Sequence, residues 1–321
     1  MSQSGFKRYT FADLRLVGRP GLTVASDSPG VVATVGNFDG LHRGHQQLVA
    51  KTVALAKKRN ASALMVSFYP HPVEVLSARG QVPRLTTLRQ TLQLCAGLGI
   101  SNYALVHFTE AFSCLSTEQF VGEFLCEKLG VRDLVLGPDA RFGKSREGTP
   151  EVITQIALKH GCQVHVESFL EQGNAVVSSR RIRGLLDAGE VAQAACLLGR
   201  PYTMDVKIHP GQGKGAGLGF PTANAVLGKQ IIPLKGVYAT RAELEGIWYS
   251  AVTNVGVRPS FGGTSLQVET HLLDFPFRTL YRKRLALAFI ERIREEKKFA
   301  SLDELKLQIA ADVATARTIL K

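Results

Sequence analysis

At 321 residues the chain is long enough for two domains of ordinary size, and 45% hydrophobic with 21% charged residues is a globular composition that excludes wholesale disorder. No apolar run approaches the length needed to cross a bilayer, and Met1–Thr10 lacks the apolar core of a secretory signal, so a cytoplasmic protein with no membrane partner is expected. The formal charge of +12 divides into +7 over residues 1–186 (21 basic, 14 acidic) and +5 over residues 187–321 (18 basic, 13 acidic). Neither half is a basic tail, and the phosphates of small nucleotides explain the charge more simply than nucleic acid does. Cys95, Cys114, Cys126, Cys162 and Cys196 show no CxxC spacing, which argues against structural zinc and a disulfide framework and predicts core thiols.

In chain order, apolar strands are predicted at Val31–Val35, Ala63–Phe68, Tyr103–His107, Asp133–Gly137 and Gln163–Ser168, alternating with helical patterns. That rhythm predicts a parallel sheet with crossover helices. The first helix, about Gly44 to Arg59, places Leu48, Val49, Val53 and Ala56 on one face and ends in basic residues that suit its negative pole. Ser116–Gln119 carries a capping-box pattern, and Pro150 fits a first helical position. After Leu185–Arg200 the helical patterns give way to Gly, Pro and strands at Tyr238–Arg241, Trp248–Asn254, Gln267–Leu273 and Leu285–Ile293, predicting an antiparallel barrel. Ser301–Glu304 then opens a closing helix. Two domains follow, 1–186 and 187–321.

The stretch Gly36-Asn37-Phe38-Asp39-Gly40-Leu41-His42-Arg43-Gly44-His45 sits between the first strand and the first helix. Glycines permit a sharp turn, and two imidazoles beside unpaired backbone N–H groups at a helix start suit a polyphosphate. His42 and His45 have no Cys or His pair at ligand spacing to support a metal reading; phosphate-facing groups that stabilise charge at an α-phosphate are favoured. Ser67–Pro72, containing His71 and Pro72, and Gly137–Gly143, containing Asp139, Arg141 and Phe142, each follow a predicted strand at the edge where open α/β sheets bind ligands. Val177-Ser178-Ser179-Arg180-Arg181-Ile182-Arg183 fits a helix start and is either a cap with solvated charges or a set of hydroxyls and a guanidinium that hold a departing pyrophosphate.

In the second half, Gly211–Gly219 is glycine-rich but lacks P-loop spacing; the specific part is Gly219-Phe220-Pro221-Thr222-Ala223-Asn224. Thr222 offers a hydroxyl and Asn224 an amide to Mg²⁺ or phosphate, near the N–H groups of Gly213 and Gly219. Glu269, in Val268-Glu269-Thr270-His271-Leu272, is either a solvated residue on the wet face of a strand or a general base for an alcohol nucleophile. Asn254–Phe261, containing Arg258, is either a substrate loop or a hairpin connection.

The first decapeptide and the Ser178–Arg183 segment resemble the HxGH nucleotidyltransferases. Taken with Leu197–Tyr202, Gly219–Asn224, Gly236–Ala239, Asn254–Phe261, Val268–Phe275, Lys298–Ser301 and Asp312, they resemble the bacterial bifunctional riboflavin kinase/FAD synthetases over about Val31 to Arg317. The resemblance implies a Rossmann-like α/β adenylyltransferase domain with a parallel sheet, then an antiparallel six-stranded β-barrel kinase domain with a C-terminal helix. It implies phosphorylation of riboflavin and adenylylation of FMN, with ATP and Mg²⁺ required and small molecules as partners; a weak homo-oligomer is left open. It implies Glu269 as general base, Thr222 and Asn224 as metal and phosphate ligands, and His42, His45 and Arg183 in adenylyl transfer. Gly36, Phe38, Asp39, Gly40, Gly44, Ser178, Ser179, Gly213 and Gly219 would contact ATP; His71, Pro72, Asp139, Arg141, Phe142 and Arg258 would contact flavin. Arg180, Ala140, Ser260 and Asp205 depart from the family pattern. The alternatives are a riboflavin kinase with a weak or repurposed nucleotidyltransferase module and, from another class, a basic flavin-responsive or RNA-binding regulator that kept the fold.

Overall fold

The computed structural model describes residues 7–11, 14–18, 30–77, 82–209, 219–260, 263–276 and 280–321, without the side chains of 7–11, 14–18, 258–260 and 263–265. Two compact units emerge: residues 1–82 with 88–177, and 83–87 with 178–321. The short segment Pro83–Thr87 thus packs with the second unit. Arg84 pairs in parallel with Gln230, and the buried Gln230 amide donates to the Leu85 carbonyl at 3.3 Å and accepts from Asp205 N at 2.8 Å. Local sequence cannot anticipate this segment's placement, because its partners lie more than a hundred residues away.

The first unit carries a seven-stranded sheet in the order β1-β2-β5-β4-β3-β6-β7. Its strands are β1 (Lys7–Phe11), β2 (Leu14–Gly18), β3 (Val31–Val35), β4 (Ser62–Tyr69), β5 (Asn102–His107), β6 (Val131–Leu136) and β7 (Gln163–Val166). β3 to β7 are the predicted strands and are mutually parallel; β1 and β2 add an antiparallel hairpin along β5 that sequence reading did not foresee. Helices are α1 (Arg43–Lys58), α2 (Pro72–Leu76), α3 (Leu88–Gly97), α4 (Glu110–Ser113), a π-helix over Gln119–Lys128 and α5 (Pro150–Lys159). Both sheet faces are covered: Val31, Ala33, Leu64 and Leu134 face the π-helix and α5 side, while Val32, Met65, Tyr103 and Val135 lie in the core with α1 and α3. Two-sided burial explains why β3, Val-Val-Ala-Thr-Val, is apolar without alternation. The one hydroxyl, Thr34, is buried and donates to Val135 O at 2.9 Å, tying β3 to β6. The capping box at the π-helix forms reciprocally: Ser116 N donates to Gln119 Oε1 and Gln119 N to Ser116 Oγ.

The second unit starts with α6 (Ser179–Asp187) and α7 (Val191–Leu198). A closed six-stranded barrel follows, built from β8 (Tyr202–His209), β9 (Ala223–Val226), β10 (Gly236–Leu244), β11 (Ile247–Ser260), β12 (Gly263–Leu272) and β13 (Arg284–Arg294), then α8 (Leu302–Ile319). Closure leaves no free sheet edge. Strand alternation sends Thr240, Thr253 and Thr270 to buried positions, where their hydroxyls form a chain (2.8 and 3.0 Å) so that each polar group is matched. Asn254–Ser260 proves to be part of the long strand β11, paired to β12 as far as Ser260 opposite Gly263. Among the cysteines Cys95, Cys126 and Cys162 are buried as expected, but Cys114 and Cys196 are exposed.

Candidate active sites

In the first unit the parallel strands run in the order β5-β4-β3-β6-β7, so connections leave β3 in one direction and β6 in the other. A crevice at the carboxyl ends of such a pair is where open α/β sheets take ligands. The Gly36–His45 turn leaves β3 there. Gly36 N still bonds Val66 O at 3.1 Å; then the chain reverses through Phe38 (φ 48°), Gly40 (φ 83°) and Leu41 (φ 41°). Two of these are non-glycine residues in the left-handed region, an unfavourable state that persists here because Phe38 and Leu41 are buried. Asp39 is buried as well.

That turn delivers His42 as the N-cap of α1: its Nδ1 accepts from His45 N at 3.3 Å. The two imidazoles stack with centroids 3.6 Å apart, and Phe38 meets His45 edge-on at 5.2 Å. A Cβ at Gly44 would stand 3.3 Å from the His42 ring, so a glycine gives the imidazole room. His42 therefore combines capping with its place in the turn, which the sequence reading did not include. Burial, and secondarily the neighbouring His42, hold the His45 pKa well below the ordinary histidine value, and its buried Nδ1 has no hydrogen-bond partner among the described residues. A neutral imidazole with an unmatched nitrogen beside a helix N-terminus is prepared for an anion.

The other expected residues of this chemistry are more dispersed. His71 caps α2, its Nδ1 accepting from Val73 N at 3.2 Å, with Pro72 at the first helical position. Asp139 is exposed beyond β6, and Arg141 donates to Ala140 O at 2.8 Å. Phe142 packs edge-on against Phe120 at 5.2 Å and, like Ala140, lies against the core cluster, so its ring has a structural partner. Ser178 caps α6 by accepting from Arg181 N at 3.3 Å, followed by Ser179 and the exposed Arg180. Arg183 donates from Nε to Pro83 O at 3.1 Å, a contact that the segment's distant folding partner creates. These last residues belong to the second compact unit.

The barrel site is more concentrated. Thr222, Asn224 and Glu269 line one cavity of about 420 Å³, within the size range of small-molecule sites. Glu269 pairs across strands with Asn224 on β9 and with Asn254 on β11, so three polar residues form one row. Its neighbours Val268 and Thr270 are buried, which puts Glu269 on the opposite, cavity-facing side. Phe220, Val252, Phe299, Leu305, Ile309 and Val313 supply apolar wall, much of it from α8. The helix is clamped there: Arg294 on β13 donates through Nε and Nη2 to the buried Asp312 at 2.8 and 2.7 Å, and Gln308 adds 3.0 Å. His271 bonds the Pro221 carbonyl at 2.8 Å and meets Phe220 edge-on, fixing the strand next to Thr222. Gly219 occupies a turn with φ 87°. Gly213 and the Arg258 side chain lie outside the described residues. Sequence reading did not single out Asn254, Gln267 and Glu296 as cavity residues: strand register sets Asn254 opposite Glu269 and Gln267 two residues before it, and Glu296 reaches the cavity from the segment after β13.

A family model for FAD synthetase matches residues 24–181, and one for riboflavin kinase matches residues 198–320. The bifunctional riboflavin kinase/FMN adenylyltransferase of Escherichia coli K12 is 37% identical over 291 residues, covering 90% of this chain and 92% of that protein. The chain belongs to the bifunctional riboflavin kinase/FMN adenylyltransferase family. Members from Pseudomonas fluorescens (37%, 90% and 93% covered) and Bacillus subtilis (34%, 88% and 90% covered) show the same end-to-end relationship. Among solved structures, one described as a macrolide-efflux protein from Streptococcus pneumoniae superposes with TM-score 0.83 at 27% identity, over 92% of this chain and 96% of that one. Among the described residues, no helix is long and apolar enough to cross a membrane. The riboflavin kinase match includes Glu269, Thr222 and Asn224, and the FAD synthetase match includes the His42/His45 turn.

Proposed function

We propose that this bifunctional enzyme phosphorylates riboflavin at the barrel cavity and adenylylates FMN at the His42/His45 turn, using one ATP in each step. The observation that carries the reading is the in-register row Asn224–Glu269–Asn254 inside a cavity that also holds Thr222 and an apolar wall. In the first step Glu269 takes the proton of the ribityl 5′-hydroxyl as that oxygen attacks the γ-phosphorus, and ADP departs. The apolar side of the cavity suits the isoalloxazine ring. Thr222 and Asn224 present neutral oxygens, and among the described residues no three His, Cys, Asp or Glu side chains are placed to hold a metal ion together. That donor set fits Mg²⁺, which binds through few protein oxygens plus phosphates and water. Held there, Mg²⁺ would neutralise triphosphate charge.

In the second step an FMN phosphate oxygen attacks the α-phosphorus of ATP and pyrophosphate departs, so the protein's work is positioning and charge stabilisation. His42 and His45 serve the α-phosphate, Gly36, Phe38, Asp39, Gly40 and Gly44 form its turn, and Ser178, Ser179 and Arg183 serve the leaving pyrophosphate. The neutral state of His45 supports this role, since phosphate charge favours proton uptake by a desolvated imidazole. The loops bearing His71, Pro72, Asp139 and Arg141 are proposed to meet FMN. We place the functional boundary between residues 186 and 187, and assign the enzyme to the cytoplasm with small molecules as its partners. Incubation with riboflavin, ATP and Mg²⁺, followed by chromatography, tests the scheme. FMN should appear and then FAD; FMN accumulating without FAD would sink the second assignment.

A further inference from the structure

Beyond the groups assigned to phosphoryl transfer, the barrel cavity carries polar side chains that the chemistry does not use. Asn254 and Gly256 alternate onto one side of β11, opposite Glu269 and Gln267 on β12. Glu296, from the segment after β13, reaches over this patch. A Cβ built on Gly256 would overlap Glu296 Oε1 and stand 3.1 Å from Asn254 Nδ2, so the carboxylate rests on bare backbone beside the amide. All of these residues line the cavity. Asn224, Asn254, Gln267, Glu269 and Glu296 have no side-chain hydrogen bond or ion pair among the described residues.

Several unmatched hydrogen-bonding groups on one wall, facing an apolar wall, describe a receptor for a molecule with a flat apolar part and a polyhydroxyl part. We infer that Glu296 is a specificity-determining residue for the kinase step, accepting hydrogen bonds from the internal hydroxyls of the substrate's polyol chain and so aiming its terminal hydroxyl at Glu269. The inference rests on the reading of Glu269 as the base. An ionised carboxylate is the strongest acceptor available to a neutral hydroxyl. Gly256 is the complementary device: lacking a side chain, it leaves the space that the carboxylate occupies, and register across from Gln267 places that space diagonal to Glu269. Glu269 does the chemistry, while Glu296 reads the chain that carries the reacting group.

Initial-rate kinetics on the full chain, with ATP and Mg²⁺, should compare riboflavin with a flavin analogue whose side chain is a plain hydroxypentyl, keeping only the terminal hydroxyl. The native enzyme should prefer riboflavin. Glu296→Gln should lower kcat/KM for riboflavin by about 10- to 100-fold, as expected for losing a hydrogen bond to a charged acceptor, mainly through KM. The ratio between the two substrates should then approach unity. Gly256→Ala, whose methyl displaces the carboxylate, should narrow the ratio in the same direction. A Glu296→Gln enzyme that keeps the native preference overturns the inference, whatever its absolute rate. Glu269→Gln supplies the separate check: it should remove turnover of both substrates, and retained turnover would reject Glu269 as base without bearing on the substrate ratio of Glu296→Gln.

Discussion

Around His45 the backbone leaves extended structure altogether, passing through left-handed conformations at Phe38, Gly40 and Leu41 before entering a helix. Around Glu269 no such departure occurs: each neighbour is a paired strand residue, and the polar row follows from register. The turn site gains its character from what surrounds it, namely buried apolar anchors, an imidazole stack and a helix N-terminus. The barrel site gains it from counting, since side chains of a strand alternate and a one-residue slip would turn Glu269 inward. A site of the first kind concentrates electrostatics on one small anion. A site of the second kind spreads side chains along an elongated ligand.

The sharpest way to separate the two regions is to silence one chemistry at a time. Glu269→Gln should cut FMN formation by about 10³-fold, the scale of a lost general base, while FAD formation from supplied FMN stays within about twofold. Simultaneous loss of both, measured by chromatography of the two flavins, would break the assignment of separate sites. His45→Ala should do the reverse, lowering FAD formation by about 10²-fold as expected for a lost transition-state hydrogen bond, with riboflavin phosphorylation intact.

Removing the clamp under α8 tests the architecture of the barrel site instead of its chemistry. Asp312→Ala leaves Arg294 without its carboxylate in a largely buried setting and should cost about 3 kcal/mol, read by denaturant unfolding of the barrel. The riboflavin KM should rise, because α8 supplies apolar wall. By contrast, Arg317→Ala removes an exposed α8 side chain from its pair with Asp274, in the turn after β12, and should leave the unfolding midpoint close to that of the native protein.

A titration distinguishes the turn site further. Because folding depresses the His45 pKa, the unfolded chain binds a proton more readily than the native one as pH falls below the ordinary histidine value. Stability contributed by this neutral imidazole is therefore complete above about pH 6.5, the unperturbed value, and is lost as pH falls from there through its lowered native pKa. Thermal melts across that acid range should fall more steeply for the native protein than for His45→Gln. Imidazole NMR should show His45 titrating below the ordinary histidine value, and an unshifted titration would contradict the desolvation of its imidazole.

Much of this was present in the residue order. Val31–Val35, Ala63–Phe68 and Tyr103–His107 are legible because strands buried on both faces must be apolar throughout, the caps at Ser116, Ser178 and Ser301 because a helix start needs an acceptor for its free N–H groups, and Pro150 because a first helical position needs no N–H. The Gly36–His45 turn and Glu269 stand out locally for the same kind of reason: their chemistry is carried by residues close in sequence. Tertiary structure alone decided that Pro83–Thr87 joins the second unit, that Arg183 bonds the Pro83 carbonyl, that Phe142 packs into an aromatic core, and that β1 and β2 border the sheet. It also decided that Asn224, Asn254 and Glu296 gather at Glu269's side of the barrel. Local propensity and capping act over a few residues and are written in them, whereas strand register and the pairing of remote segments are settled only when the whole chain competes to bury its apolar surface and match its polar groups.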